Sequence, residues 1–168
     1  MAAWAEISGA DLAQGDLVTG VLVPLVGSEF PKDRRVNVEE LDVIIATQTC
    51  DLANTKISSA LVVRTMPISE FEQDNPSYKQ RKNWNAVAQG RIAALHLLPS
   101  VDNSLSQDGA GAWVIDFREV YSLPVSYLSA HAVKLGSRRR LCSPYLEHFS
   151  QSFGHFFMRV ALPETLRF

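Results

Sequence analysis

The sequence predicts a mainly β, α+β fold: a small twisted β-barrel with one amphipathic C-terminal helix packed on it. Three observations carry this expectation. Short apolar, β-branched runs recur between Gly, Pro, Asn and Asp turn signals, which is how strands read. Near the C-terminus, Leu146, Phe149, Phe153, Phe156/Phe157 and Val160 fall at alternating spacings of three and four, the period of one helix face. The length of 168 residues suits one cored domain rather than two.

Taken in order, residues 7–14 form a short leader in which Ser8 suits a helix N-cap. Gly15-Asp16 punctuates the chain. Leu17, Val18, Val21, Leu22 and Val23 then make a strand over 17–25, where Pro24 marks an edge or a bend. Residues 27–37 are polar and charged, an exposed loop long enough to be functional. Residues 41–47 are the strongest strand, because the unbroken run Val43, Ile44, Ile45 fits burial on both faces. A strand over 57–66 follows and ends at Pro67. A helix is expected over about 77–90, capped by Ser77 and stopped by Gly90. Strands over 91–98 and 113–121 complete the set, separated by a turn-rich loop containing Asp108-Gly109. The barrel core thus spans 15–121 within a single domain of 1–168. Arg138, Arg139 and Arg140 read as a solvated basic patch ahead of the C-terminal helix, 143–161. Its Phe side chains, worth roughly 1.5–3 kcal/mol each before entropy, make that helix the lid of the core.

Hydrophobic residues make up 46% of the chain and charged residues 20%, which excludes a disordered polypeptide. A net charge of −2 argues against broad charge-driven nucleic-acid binding but leaves room for a local basic groove. Cys50 and Cys142 are the only cysteines, so no disulfide framework is expected. The first residues lack a basic start and a long apolar run, and no run approaches the ~20 residues of a membrane helix. A cytoplasmic protein without membrane contact is therefore expected. The histidines show no His-x-x-x-His spacing, no Cys-x-x-Cys pair occurs, and Gly9, Gly15 and Gly20 match no phosphate-loop or dinucleotide pattern. Neither a metal nor a cofactor is expected.

Three constellations carry chemistry. Gln48-Thr49-Cys50-Asp51 places four small or polar groups directly after the most buried strand, where sites are commonly grafted. There Cys50 is either a nucleophile, if a base activates it, or a small buried residue, with Asp51 capping the next turn. Asp116 and Arg118, two apart on one strand face, form an ion pair or bind a substrate. Arg34, Arg35, Arg64, Arg91, Arg118 and Arg138 to Arg140 would bind RNA phosphates if several met in one groove.

The order of signals resembles the MazF/PemK toxin family over about the first seventy residues. The match comprises Gly15-Asp16-Leu17-Val18, the charged loop with Gly27-Ser28-Glu29, and the buried strand at 43–46. It continues with a turn containing Asn54 and the strand at 61–63, ending in Met66-Pro67-Ile68-Ser69. The chain also resembles a group of uncharacterised bacterial proteins carrying a Gln-Thr-Cys-Asp-Leu motif, here at 48–52. That group also has a Val-Asp-Phe-like strand, here Ile115-Asp116-Phe117, and a C-terminal Phe-Phe-Met-Arg-Val-x-Leu-Pro, here at 156–163.

The family resemblance implies an SH3-like barrel, a homodimer, and RNA cleavage by an arginine together with a serine or threonine. Ser69 corresponds to the latter. Glu40-Leu41-Asp42 stands where the family has Arg-Pro, leaving Arg34 and Arg35 as the nearest arginines. Because fold does not fix function, the leading expectation is a binding or accessory component of a prokaryotic toxin–antitoxin or phage-defence system. It would contact a protein partner, and RNA in addition, through Gln48, Thr49, Asp116, Arg118 and Arg91. The alternatives are a sequence-selective endoribonuclease toxin using Arg34, Arg35, Ser69 and Asp51, and a cysteine-dependent hydrolase using Cys50.

Overall fold

Val43, Ile44 and Ile45 are fully buried at the centre of the sheet, and alternate side chains enter different cores. The computed structural model describes residues 2–27, 36–54, 57–101 and 111–158. Its strands are β1 (Trp4–Ser8), β2 (Asp16–Leu25), β3 (Asn37–Ile45), β4 (Ser59–Pro67), β5 (Leu95–Leu98), β6 (Trp113–Pro124) and β7 (Ser137–Leu141). Its helices are α1 (Thr49–Ala53), α2 (Ile68–Asp74), α3 (Arg81–Ala88), α4 (Val125–Leu135) and α5 (Tyr145–Phe157), with a 3-10 turn at Pro76–Lys79. The strands form one antiparallel sheet of seven in the order β1-β7-β2-β3-β4-β6-β5.

The pairing gives the expected mainly β, α+β sheet, not closed into a barrel. Among the described residues β1 and β5 are edges that do not pair with each other. The sheet is nonetheless bent by bulges between Val18 and Val21 and between Val63 and Thr65. The first bulge is held by Gly20, at φ +65°, whose N–H donates to Asp42 Oδ1 at 2.9 Å. Trp4 of β1 donates through Nε1 to the Pro99 carbonyl just beyond β5, at 3.1 Å. Among the described residues Pro24 has β3 on one side and no strand on the other, an edge position as expected. It shares parity with Leu22, whose N–H points away from β3 to Tyr127 Oη at 2.8 Å, so the missing N–H costs no ladder bond.

Each sheet face carries its own core. Val18, Val21, Val43, Ile45 and Val62 pack with Leu128 and Ala132 of α4. Leu17, Ile44, Val63, Ile115 and Phe117 pack with Phe149 of α5. The aromatic stripe is a core lid: Phe117 meets Phe149, Phe153 and Phe156 at ring distances of 6.3, 5.7 and 5.8 Å. Phe157 is exposed, and Val160 lies outside the described residues.

Several boundaries differ from expectation: β3 runs Asn37–Ile45 rather than 41–47, and β5 is only the Leu95–Leu98 part of the expected 91–98. The sheet extends beyond 15–121, because Trp4–Ser8 form β1, with Ser8 ending a strand rather than capping a helix, and the basic patch is β7. Both strands are short and lack an apolar run, so pairing rather than side-chain pattern makes them strands. Residues 125–135 form α4. The helix expected over 77–90 is a 3-10 turn and α3, broken at extended Gln80 and preceded by α2. This insertion makes its own core, with Phe71, Tyr78 and Trp84 rings 5.0 to 5.7 Å apart and Trp84 Nε1 donating to Glu72 at 2.7 Å. The C-terminal helix begins at Tyr145 rather than at 143, with Pro144 in the N-cap position.

Candidate functional site

Where β3 leaves the core, the chain turns through extended Gln48 into the single-turn α1, anchored by buried Leu52. Side chains tie this corner down locally. Thr47 Oγ1 accepts from Leu61 N–H at 2.7 Å, Thr49 Oγ1 accepts from Gln14 N–H at 3.2 Å, and Gln14 Nε2 donates to the Ala46 carbonyl at 2.9 Å. Gln48, Thr49 and Cys50 are exposed and Asp51 is half-buried, so the corner opens to solvent. The Cys50 thiol stands 3.9 Å from Asp51 Oδ1, a carboxylate rather than an activating imidazole. Nucleophile chemistry needs a base at hydrogen-bond reach. His131 is engaged with the Thr19 carbonyl at 2.8 Å, while His96, His148 and His155 line a separate cavity.

Beside the corner lies a recess of about 560 Å³, walled by Asp11, Leu12, Thr49, Val125, Ser129 and Arg140. Its cationic wall rests on an ionic network buried beneath it. Asp16 is fully buried, and its carboxylate accepts from Ala13 N–H at 3.1 Å, Arg138 Nε at 2.8 Å and Arg140 Nη2 at 2.9 Å. Arg140 Nε also donates to it. Arg138 reaches on to the Gly9 carbonyl at 2.8 Å and to the Asp11 carbonyl, stapling the loop ahead of β2 to the sheet. The hydrogen bond to Asp16, together with its charge, raises the Arg140 pKa, so this cation is permanent.

The solvated basic patch is thereby corrected. Strand alternation turns Arg138 and Arg140 inward onto Asp16, and Arg139 alone faces out, 3.8 Å from Glu6. The signal in the sequence is the i, i+2 spacing of two arginines ending at apolar Leu141.

The other expected site residues do not converge on the corner. Ser69 is exposed on α2, past the far end of β4. Leu61 hydrogen-bonds the corner, so six further strand residues, about 20 Å, separate it from Pro67. Asp116 is eight residues along β6 from Pro124, which pairs with Ser59 at the corner end. Its buried carboxylate accepts from Arg118 N–H at 3.0 Å and Nε at 2.8 Å. The ion-pair reading therefore describes this couple, and the bond to Asp116 raises the Arg118 pKa. Arg91 is exposed after the C-terminus of α3. Arg34 and Arg35 lie outside the described residues. Among the described residues no helix is long and apolar enough to cross a membrane, and no cluster of three His, Cys, Asp or Glu side chains is placed to hold a metal. No protein-family model and no curated protein matches the chain.

Proposed function

We propose that this chain is a MazF/PemK-like barrel protein serving as a binding or accessory component of a prokaryotic toxin–antitoxin or phage-defence system. It acts in the cytoplasm and docks a protein partner at the Gln48-Thr49-Cys50-Asp51 corner. The observation that carries the reading is the recess beside that corner. Its apolar Leu12, Leu52 and Val125 stand next to Thr49, Ser129 and an Arg140 held in place by Asp16. An apolar floor with a few fixed polar groups and an arginine is the make-up of a protein-contact pocket. The barrel reading is supported by the two bulges and by the Trp4 to Pro99 bond, which draws the edge strands toward one another.

The test is co-purification with the product of a neighbouring gene, followed by titration of the purified pair. Thr49→Trp and Ala53→Arg, which fill or charge the recess at exposed positions, should weaken the complex by about tenfold or more while leaving the far-ultraviolet dichroism unchanged. Retention of full affinity by both variants overturns the docking site. Cleavage of mixed RNA that is abolished by Arg35→Ala or Ser69→Ala would establish the ribonuclease alternative instead. A hydrolytic activity lost on alkylation of Cys50 would establish the cysteine-dependent one.

A further inference from the structure

Two further recesses lie at the β5 edge of the sheet. Each has a volume of about 380 Å³, and they share Val87 and Ala88 of α3, His96 of β5 and His148 of α5. They differ in chemistry. The first adds His155, Gln151 and Ser152 from α5, so its polar side chains are three imidazoles, an amide and a hydroxyl. No carboxylate lines it among the described residues. The second adds Leu97, Leu98, Pro99 and the Tyr145 ring. His148 and His155 are seven residues apart, two helical turns, so α5 presents both to the same cavity. His96 packs against both Phe117 and Phe149, at ring distances of 6.1 and 6.3 Å.

A compartment rich in N–H and O–H donors and free of carboxylates suits a group with several acceptor oxygens. An adjoining apolar compartment with an aromatic wall suits a flat ring. A metal does not account for the imidazoles, because among the described residues no three metal-ligating side chains are placed to share an ion. We infer that the joined recesses bind a phosphate monoester carrying a planar ring, of nucleoside-monophosphate size, with the phosphate among His148, Gln151, Ser152 and His155 and the ring against Tyr145. Burial, with His148 as a secondary cause, lowers the His96 pKa to about 4, so at neutral pH its ring sits uncharged at the junction and offers one N–H donor. This site is separate from the corner recess, so it stands or falls independently of the partner-binding reading.

Calorimetric titration with adenosine, guanosine, cytidine and uridine monophosphates tests it, with the nucleosides and inorganic phosphate as part-ligands. At least one monophosphate is expected to bind with a sub-millimolar Kd, tighter than its nucleoside and than phosphate. His148→Ala and Tyr145→Ala should each weaken it about tenfold. Tyr145→Ala should leave weak phosphate binding unchanged, and Lys134→Ala on α4 should have no effect. Ala88→Trp, which fills the junction from an exposed position, provides a second variant with the imidazoles intact and should abolish binding. Any of three results overturns the proposal: no binding at about 10 mM ligand, binding unaffected by all three site variants, or binding confined to a single-stranded oligonucleotide.

Discussion

Replacing His96 by Gln removes one titrating group whose folded environment opposes its charge. His96 lies on β5 under α5, stacked on Phe117 and tilted against Phe149, and burial is the main reason its pKa falls from 6.5 to about 4. Proximity to His148 adds to the shift. In the unfolded chain the imidazole takes up its proton near the ordinary value, so between about pH 6.5 and pH 4 the unfolded state binds more protons than the folded state. Folding stability therefore rises with pH across this window. It is complete above the unfolded pKa and is lost as the pH falls toward the folded one. A shift of about 2.5 units corresponds to about 3 kcal/mol. The expected result is that the wild-type protein loses about 3 kcal/mol more than His96→Gln between about pH 7.5 and pH 4. Urea unfolding followed by tryptophan fluorescence at several pH values measures it. Carboxylates titrate in both proteins, so the difference between the two curves isolates His96. The variant also loses ring contacts, but that loss is the same at every pH. Parallel curves, agreeing to within about 0.5 kcal/mol after a constant offset, would refute the reasoning.

Three further outcomes follow from the cores and the ionic network, each checked by urea denaturation. Asp16→Asn leaves the buried Arg138 guanidinium without its counter-charge and should cost about 3–5 kcal/mol, whereas Asp16→Asn with Arg138→Met should recover part of that loss. Phe149→Ala opens a void under α5 beside Phe117 and should cost about 3–5 kcal/mol. Gly15 has φ +84°, and a Cβ there would lie 2.8 Å from Leu146 Cδ1 and 3.1 Å from Leu141 Cβ, whereas at Gly9, with φ +91°, it would meet nothing within 4 Å. Both alanine variants bear backbone strain of about 1–3 kcal/mol, and Gly15→Ala should be the more destabilised of the two.

What the sequence made legible depended on whether a segment's side chains alone determine its state. The run Val43, Ile44, Ile45 could satisfy itself only between two cores, and it lies there. The Phe stripe of α5 had one apolar face and therefore one way to pack. By contrast, β1 and β7 hold too few apolar residues to announce themselves. They are strands because Trp4 to Ser8 find Leu141 to Ser137 across a ladder, a pairing more than a hundred residues apart. Residues 125–135 form α4 although Pro124 and a β-branched Val125 open the segment, and burial of Leu128 and Ala132 decides it.

The corner and the network beneath it show the same division. An abrupt polar stop after a buried strand marked Gln48 to Asp51 as a rim, and the rim is open. Nothing local, however, joins Asp16 to arginines 122 and 124 positions away, because an ion pair across a sheet is set by register. That pairing turns a triplet of arginines from a solvated patch into a clamp. Arg138 fixes the loop ahead of β2, and Arg140, held by Asp16, is left as a charged wall of the corner recess. Any contact made at this corner therefore depends on Asp16, a fully buried residue that itself lies beneath the recess rather than in its wall. A substitution there should weaken binding and folding together, whereas Ala53→Arg, at an exposed position, should weaken binding alone.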